Sequence, residues 1–289
     1  MTPESDCQSE INVSALRVSI VCYATDEDQL RKTVRSLVIS GAAALDARLI
    51  DRIDIFLADN GPAIVEREKI ESIFSSLLEL ASPEIKFHRI GDGKNVGFGV
   101  GHNQTIDPGA SDFHLALNPD VELSSDSLSK ALEFMREHIE CGLLSPAITD
   151  GLNEAQYPCK RYPSVLDLAL RGFAPGWLRD MFSARLALYE MRDRTNENVL
   201  WQPPIVSGCF MLLRASLIEK IKGFDPAFFL YFEDFDLSLR AAKVSKIAYV
   251  PSVKIVHHGG NAAKKSWRHI LLFARSAVQF FNKHSWKFF

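Results

Sequence analysis

"LRVSIVCYATDEDQLRKTVRSLVIS", residues 16–40, decides the class of fold. Arg17–Tyr23 is a nearly unbroken run of β-branched and apolar residues, the pattern of a strand buried on both faces. After a polar break, Leu30, Val34, Leu37 and Val38 recur at helical spacing, so the stretch reads strand, loop, helix. Working outward, "IDIFLADNGP" repeats the strand and turn, "AIVEREKIESIFSSLLELA" the helix, and "EIKFHRIG" a third strand. "KNVGFGVGHNQTI" is a glycine-rich turn entering a helix, and "FHLALN" is a further strand. Strands alternating with helices predict an α/β fold: a Rossmann-like, mostly parallel central sheet with helices on both faces. In such sheets ligands gather beyond the carboxyl ends of the strands.

The second half is less regular. Ser129–His138 reads as a helix, and residues 150–203 are rich in Arg, Tyr and Pro, with helical pieces at Val165–Leu170 and Leu178–Met191. A long irregular segment inside a compact chain is usually a functional loop or lid. "IVSGCFMLLRASLIEKIKGFD" resumes strand and helix, "DFDLSLRAAKVS" is another helix, and "IAYVPSVKIVHH" supplies closing strands. Residues 1–14 are expected to be a disordered leader of Ser, Glu, Asp and Pro, and 15–289 one domain.

A chain of 289 residues that is 47% hydrophobic can bury a sizeable core. Its net charge of −3 creates no overall field for nucleic acid. Charge is uneven, however: from Lys254 to Phe289 there is no Asp or Glu, whereas Lys254, Lys264, Lys265, Arg268, Arg275, Lys283 and Lys287 are basic. Five scattered cysteines (Cys7, Cys22, Cys141, Cys159, Cys209), none in a CxxC pair, argue against a disulfide framework or a zinc site and suit a reducing compartment. No apolar run reaches membrane-spanning length, so the expected location is cytoplasmic.

Four strand ends carry candidate chemistry. Asp59 precedes Asn60-Gly61-Pro62, which makes an Asx turn in any case; at the sheet's carboxyl edge the carboxylate is equally suited to accept from a base or ribose. "NVGFGVGHN" (95–103) has Gly97, Gly99 and Gly101 at a helix start, read either as a tight turn with close packing or as a backbone approach to phosphate or sugar. Pro119 lacks an N–H, so the strand should end at Asn118 and project Asp120, either to an exposed or capping position or to a divalent cation. "VKIVHHGG" ends a strand in two histidines that face opposite ways, so at most one joins a site.

"GFDPAFFLYFEDFDLSLR" (223–240) is the most unusual stretch, with six aromatics around Glu233, Asp234 and Asp236. A carboxylate pressed on apolar neighbours has a raised pKa, which suits a general base. The plainer account makes Asp234 an N-cap and pairs Asp236 with Arg240 four residues on.

Taken together and in this order, "VSIVCYA", "LADNGP", "NVGFGVGHN", "LNPDV", "VSGCFMLLR", "GFDPAFFLYFEDFDLSLR" and "VHHGG" resemble a family-2 glycosyltransferase with the GT-A fold, and most closely its bacterial rhamnosyltransferase branch, from about Arg17 to Lys283. The resemblance implies a nucleotide-sugar-binding half (15–125), an acceptor-binding and catalytic half (126–260) and a C-terminal helical tail (261–289). It implies that Asp234 deprotonates the acceptor hydroxyl, that Asp120 and His257 hold Mg²⁺ or Mn²⁺ at the donor diphosphate, and that Tyr23, Asp59, Asn95, Gly97, Phe98 and Asn118 bind the nucleotide-sugar. Glu233, Arg161 and Gly208 would support the acceptor or the base.

Two departures matter. Asn118 replaces the first acid of the D-x-D element, as is usual in the rhamnosyltransferase branch, and "YATDED" lacks the Asn common after the tyrosine. The implied reaction is inverting transfer of L-rhamnose from dTDP-L-rhamnose to a lipopolysaccharide or lipid-linked glycan, without nucleic acid as a partner. A UDP-sugar transferase and a noncatalytic glycan-binding relative are the alternatives, and a sugar-nucleotide pyrophosphorylase is disfavoured because "CYATDEDQ" is acidic. The tail's Trp267, Ile270, Leu271, Ala274 and Val278 fit one helix face, expected first to pack on the catalytic domain and second to make peripheral membrane contact.

Overall fold

The computed structural model describes residues 14–61, 64–78, 80–195, 197–259 and 267–289. The leader up to residue 13 with Cys7, together with Pro62, Gly260, Lys264 and Lys265, lies outside the described residues.

The first half runs β1 (Ala15–Cys22), α1 (Glu27–Asp46), β2 (Arg52–Asp59), α2 (Ile64–Leu77), β3 (Ile85–Ile90), α3 (Phe98–Asn103) and β4 (Phe113–Leu117). Next come β5 (Val121–Leu123), α4 (Ser127–Glu137), β6 (Cys141–Thr149), β7 (Ala155–Gln156), β8 (Cys159–Lys160), α5 (Val165–Phe173), α6 (Gly176–Met181) and α7 (Ser183–Tyr189). The chain finishes with β9 (Leu200–Trp201), β10 (Ile205–Val206), β11 (Phe210–Arg214), α8 (Ala215–Ile221), α9 (Glu233–Ala241), β12 (Lys246–His257) and α10 (Trp267–His284).

The main sheet has the order β3-β2-β1-β4-β11-β6-β12-β5, with β7 on β6 and β9 on β12. The first four strands are parallel, β11 runs against β4 and β6, and β12 returns parallel to β6. The mostly parallel α/β sheet expected from the sequence is therefore present. β1 takes β2 on one side and β4 on the other, so the winding reverses there and opens a crevice beyond their carboxyl ends.

Local chemistry explains the elements. α1 starts where the Asp26 carboxylate accepts a hydrogen bond from Gln29 N–H, and it buries Leu30, Val34, Leu37 and Val38 against the sheet. Val18, Ile20, Ile53, Ile55, Leu115 and Leu117 are fully buried, as strands covered on both faces require. Beneath α3, Ser19 Oγ meets His102 Nδ1 at 2.6 Å and His114 Nε2 at 3.0 Å. Burial pushes these imidazoles down to about 3 and about 4, so both are neutral near pH 7.

Three elements differ from the sequence reading. β5 is too short to show a period, and β6 carries Gly142 and Pro146, residues that argue against a central strand. The sheet accommodates Pro146 beside an irregularity in β12, where the register shifts between Val250 and Lys254. The helix expected over Leu178–Met191 is divided at Phe182 into α6 and α7.

The C-terminal helix packs on a different face from the one expected. α10 buries Ser276, Phe280 and Phe281, and its Phe273 and Phe280 rings meet Phe232 at 5.1 and 5.3 Å. Trp267, Ile270, Leu271 and Val278 remain exposed. The aromatic cluster of 228–235 offers larger matching surfaces than the aliphatic stripe could fill, so the phenylalanine face docks.

Candidate functional site

Two cavities meet at the carboxyl edge of the sheet. The first, of about 430 Å³, lies beyond β1 and β4 and is lined by Tyr23, Asn60, Asn95, Gly97, Phe98, Asn118 and Asp120, with Phe229, Arg268 and His269 on the facing wall. The second, of about 510 Å³, is lined by Asp234, Lys160, Arg171, Glu190, Arg192, Ser207 and His257.

The boundary between them is built by strand pairing. β4 ends at Leu117, the turn 118–120 follows, and β5 pairs antiparallel with the end of β12, His257 opposite Val121. That register places His257 Nε2 3.4 Å from Asp120 Oδ1, while Asp120 carbonyl accepts from His258 N–H at 3.0 Å. Asp120 faces the first cavity and His257 the second. His258 turns away to Glu122, 2.8 Å distant, so a single histidine joins the site, as strand alternation demands.

The glycine-rich turn is held from both sides. Asn60 Nδ2 donates to Asn95 Oδ1 at 3.2 Å and to the Gly97 carbonyl at 3.3 Å, and Asn60 Oδ1 accepts from Val96 N–H at 2.9 Å. On the other side, Phe98 N–H donates to the Phe229 carbonyl at 3.0 Å. Gly97 has φ +91°, and a Cβ there would stand 2.6 Å from Phe229 O, so a side chain is excluded both by conformation and by space.

Asp59 lies at the end of β2, one residue behind the cavity lining. It is buried, with Oδ2 3.8 Å from Arg89 Nη1 and Oδ1 buried without a hydrogen bond among the described residues. Asn118 Oδ1 is likewise buried without a hydrogen bond among the described residues. Of the two, Asn118 lines the cavity and Asp59 lies behind it.

Asp234 sits in the first turn of α9 and is not its cap; Phe232, with φ +67°, occupies that position. Its carboxylate accepts from Gly208 N–H and from Phe235 N–H, each at 2.9 Å. Gly208 belongs to the stretch before β11, and a Cβ on it would lie 2.9 Å from Asp234 Cβ, so its smallness sets the carboxylate's position. Burial holds Asp234 above the ordinary carboxylate range, opposed by those two N–H groups and by the Lys160 charge. Burial and the neighbouring Asp234 charge hold Glu233 high as well. Asp236 is structural: it is fully buried and takes Arg240, Lys283 and His284 at 2.7, 2.6 and 2.8 Å.

Arg161 is not brought to either cavity. Its guanidinium donates to the Leu188 carbonyl and lies 3.7 Å from Asp193, because adjacent residues leaving β8 point opposite ways. The inward neighbour is Lys160, buried with Nζ on the Tyr157 carbonyl and pushed down to about 8 by that burial. Lys160, Arg171, Glu190 and Arg192 escaped sequence reasoning because they lie scattered in the irregular 150–203 stretch. Asn60 lay in plain view beside Asp59, and its amide is what ties the glycine-rich turn to β2.

Among the described residues no three His, Cys, Asp or Glu side chains gather as a metal cluster. The Asp120 carboxylate and the His257 imidazole, 3.4 Å apart, with the Asn118 amide oxygen in the same cavity as Asp120, make a sparse donor set that fits a divalent ion whose remaining ligands are phosphate oxygens and water.

No family model matches the chain. In sequence it is similar to the N-acetylglucosaminyl-diphospho-decaprenol L-rhamnosyltransferase of Mycobacterium tuberculosis, with 28% identity over 57% of each chain. It is also similar to the rhamnosyltransferase WbbL of Escherichia coli, with 24% identity over 56% of this chain and 61% of that one. The chain thus spans a little over half the length of the curated relatives it matches. In structure it is similar to GalNAc-T7 crystallised with UDP, GalNAc and Mn²⁺ (TM-score 0.58, 14% identity, 86% of this chain and 44% of that one). TarS of S. aureus, residues 1–349, gives a TM-score of 0.52 at 12% identity, over 93% of this chain and 72% of that one. The chain has the GT-A fold and is similar in sequence to bacterial rhamnosyltransferases.

Proposed function

We propose that the chain transfers L-rhamnose, with inversion, from dTDP-L-rhamnose to a sugar hydroxyl of a lipid-linked glycan, the acceptor class named for its mycobacterial relative. The observation that carries this reading is the boundary between the cavities: Asp120 and His257, 3.4 Å apart, face opposite chambers, and the chamber beyond His257 holds the buried carboxylate of Asp234. A donor in the first chamber and an acceptor in the second would meet there.

The chemistry follows from that arrangement. Tyr23, Phe98, Asn95 and Asn118 line the chamber assigned to the nucleotide-sugar, with Asp59 behind it offering an acceptor to the base. The acceptor oxygen attacks the anomeric carbon as the bond from that carbon to the diphosphate oxygen breaks. The leaving nucleoside diphosphate keeps the bonding electron pair, and Asp234 takes the hydroxyl proton. Attack from the face opposite the leaving group inverts the centre. Gly208 and Phe235 N–H groups fix the carboxylate's orientation, and burial holds it above the ordinary carboxylate range, as suits a base. Asp120 and His257 would hold Mg²⁺ or Mn²⁺, which when bound neutralises charge on the leaving diphosphate.

The exposed Trp267, Ile270, Leu271 and Val278 of α10, with Arg275 beside them, support peripheral contact with an anionic membrane surface where such an acceptor resides. Among the described residues no helix is long and apolar enough to cross a membrane. Calorimetric titration of dTDP, UDP and GDP, each with and without Mn²⁺, tests the donor assignment. Metal-dependent preference for dTDP is expected; preference for UDP would change the sugar, and no binding by any of them would refute the reading.

A further inference from the structure

The donor chamber is not closed by the sheet alone. Its facing wall includes the first two turns of α10, which bring Arg268, His269 and Leu272 to the chamber that Asn118 and Asp120 also line. Among the residues lining the chamber, Arg268 is the cation and Asp120 the carboxylate, with His269 beside them. Their placement is tied to the fold: His269 Nδ1 lies 3.1 Å from Tyr231 Oη, and Ser276 Oγ donates to the Leu230 carbonyl at 2.8 Å. Phe273 packs on Tyr231 and Phe232 with ring centres 5.6 and 5.1 Å away. These turns are therefore clamped to the segment that leads into Asp234.

We propose that Arg268, supported by His269, is a positioning cation for the diphosphate of a nucleotide donor, bound from α10 across the chamber from Asp120. The proposal rests on the reading of that chamber as a nucleotide-sugar site. Its physical basis is charge. With Asn118 in place of an acid, the sheet side offers one carboxylate toward a divalent ion, and a sugar-linked diphosphate gains further negative charge as the glycosyl bond breaks. A guanidinium on the opposite wall balances that charge and reads paired phosphate oxygens in a fixed geometry. His269, held by Tyr231, adds a hydrogen-bond donor at the same wall and links it to the turn at Tyr231 and Phe232. Both of those residues have positive φ, a strained conformation that persists only when its surroundings hold it.

The test is calorimetric titration of dTDP, dTMP and thymidine into the full chain and into Arg268→Gln and His269→Gln, at two salt concentrations with Mg²⁺ present. Folding of each variant is checked by thermal melting. Loss of one charge-assisted contact at an exposed wall should weaken dTDP binding roughly tenfold in Arg268→Gln, with a smaller loss for dTMP and none for thymidine. The salt dependence of dTDP affinity should flatten in that variant. If the wild type binds dTDP and both variants match it within twofold, the proposal is overturned while the donor reading stands. If the wild type binds no nucleoside diphosphate, the reading of the chamber fails and the proposal falls with it.

Discussion

Asp234→Asn tests the proposed base and should separate chemistry from folding. A positioned general base is worth about 10²- to 10⁴-fold in rate, or roughly 3–5 kcal/mol at about 1.4 kcal/mol per factor of ten. The structural cost is much smaller. Both carboxylate oxygens accept a backbone N–H at 2.9 Å, from Gly208 and from Phe235, and an amide can satisfy only one of them. The lost hydrogen bond costs about 1 kcal/mol. Against it stands the removal of a buried carboxylate, which also relieves Glu233 of its neighbour's charge. A raised carboxylate pKa means that the folded state keeps a proton over a range in which the unfolded chain has released it. The pair's contribution is therefore most favourable below the unfolded values near 4 and declines as pH rises toward the folded ones. The variant should lose part of that decline, so its Tm relative to wild type should climb between pH 5 and pH 8. Turnover is to be followed as dTDP release from dTDP-rhamnose with an N-acetylglucosaminyl diphospholipid acceptor, and donor binding by calorimetry. Turnover within tenfold of wild type, with the fold intact, would refute the assignment of the base. A Tm deficit that widens with pH would refute the electrostatic reasoning even if activity were lost.

Asp236→Ala should destabilise by roughly 3–5 kcal/mol, because it strips a fully buried carboxylate from Arg240, Lys283 and His284 and leaves cations facing one another; urea denaturation reads the loss. Asp120→Asn should abolish most of the gain in dTDP affinity that Mg²⁺ brings, at least about tenfold, while leaving Tm nearly unchanged at this partly buried turn. An undiminished metal effect would remove Asp120 from the ion's coordination. His114, neutral in the fold with its pKa pushed down to about 4, takes up a proton on unfolding below about pH 6.5, so it costs stability as pH falls through that window. His114→Gln should make the acid limb shallower by up to about 1.4 kcal/mol per pH unit, measured by denaturant titration between pH 4.5 and 6.5.

The class of fold was legible in the sequence alone, and so were many of the residues that line the candidate site. Leu30, Val34, Leu37 and Val38 announce a helix because one buried face imposes one period, and Arg17–Tyr23 announces a covered strand because both faces are dry. Asp59, Asp120, Asp234 and His257 stand at the ends of elements, where local rules of turns and capping leave a mark in the sequence. β6 was hidden by Gly142 and Pro146, which are tolerated through a compensating irregularity in another strand. The docking face of α10 was misjudged because period alone does not tell which of two apolar stripes meets the better-matched partner; the rings around Phe232 decided it.

What the chain's order of residues determined by itself was the alternation of elements and the kinds of groups placed at their ends, since both depend on neighbours within a few positions. Only the tertiary structure decided which of those groups meet. The antiparallel pairing of β5 with β12 joins Asp120 to His257 across 137 positions of sequence, and the return of α10 brings Arg268 and His269 to the chamber opened by β1 and β4. Contacts of that range depend on sheet order and on which surfaces pack best, and no local period encodes either.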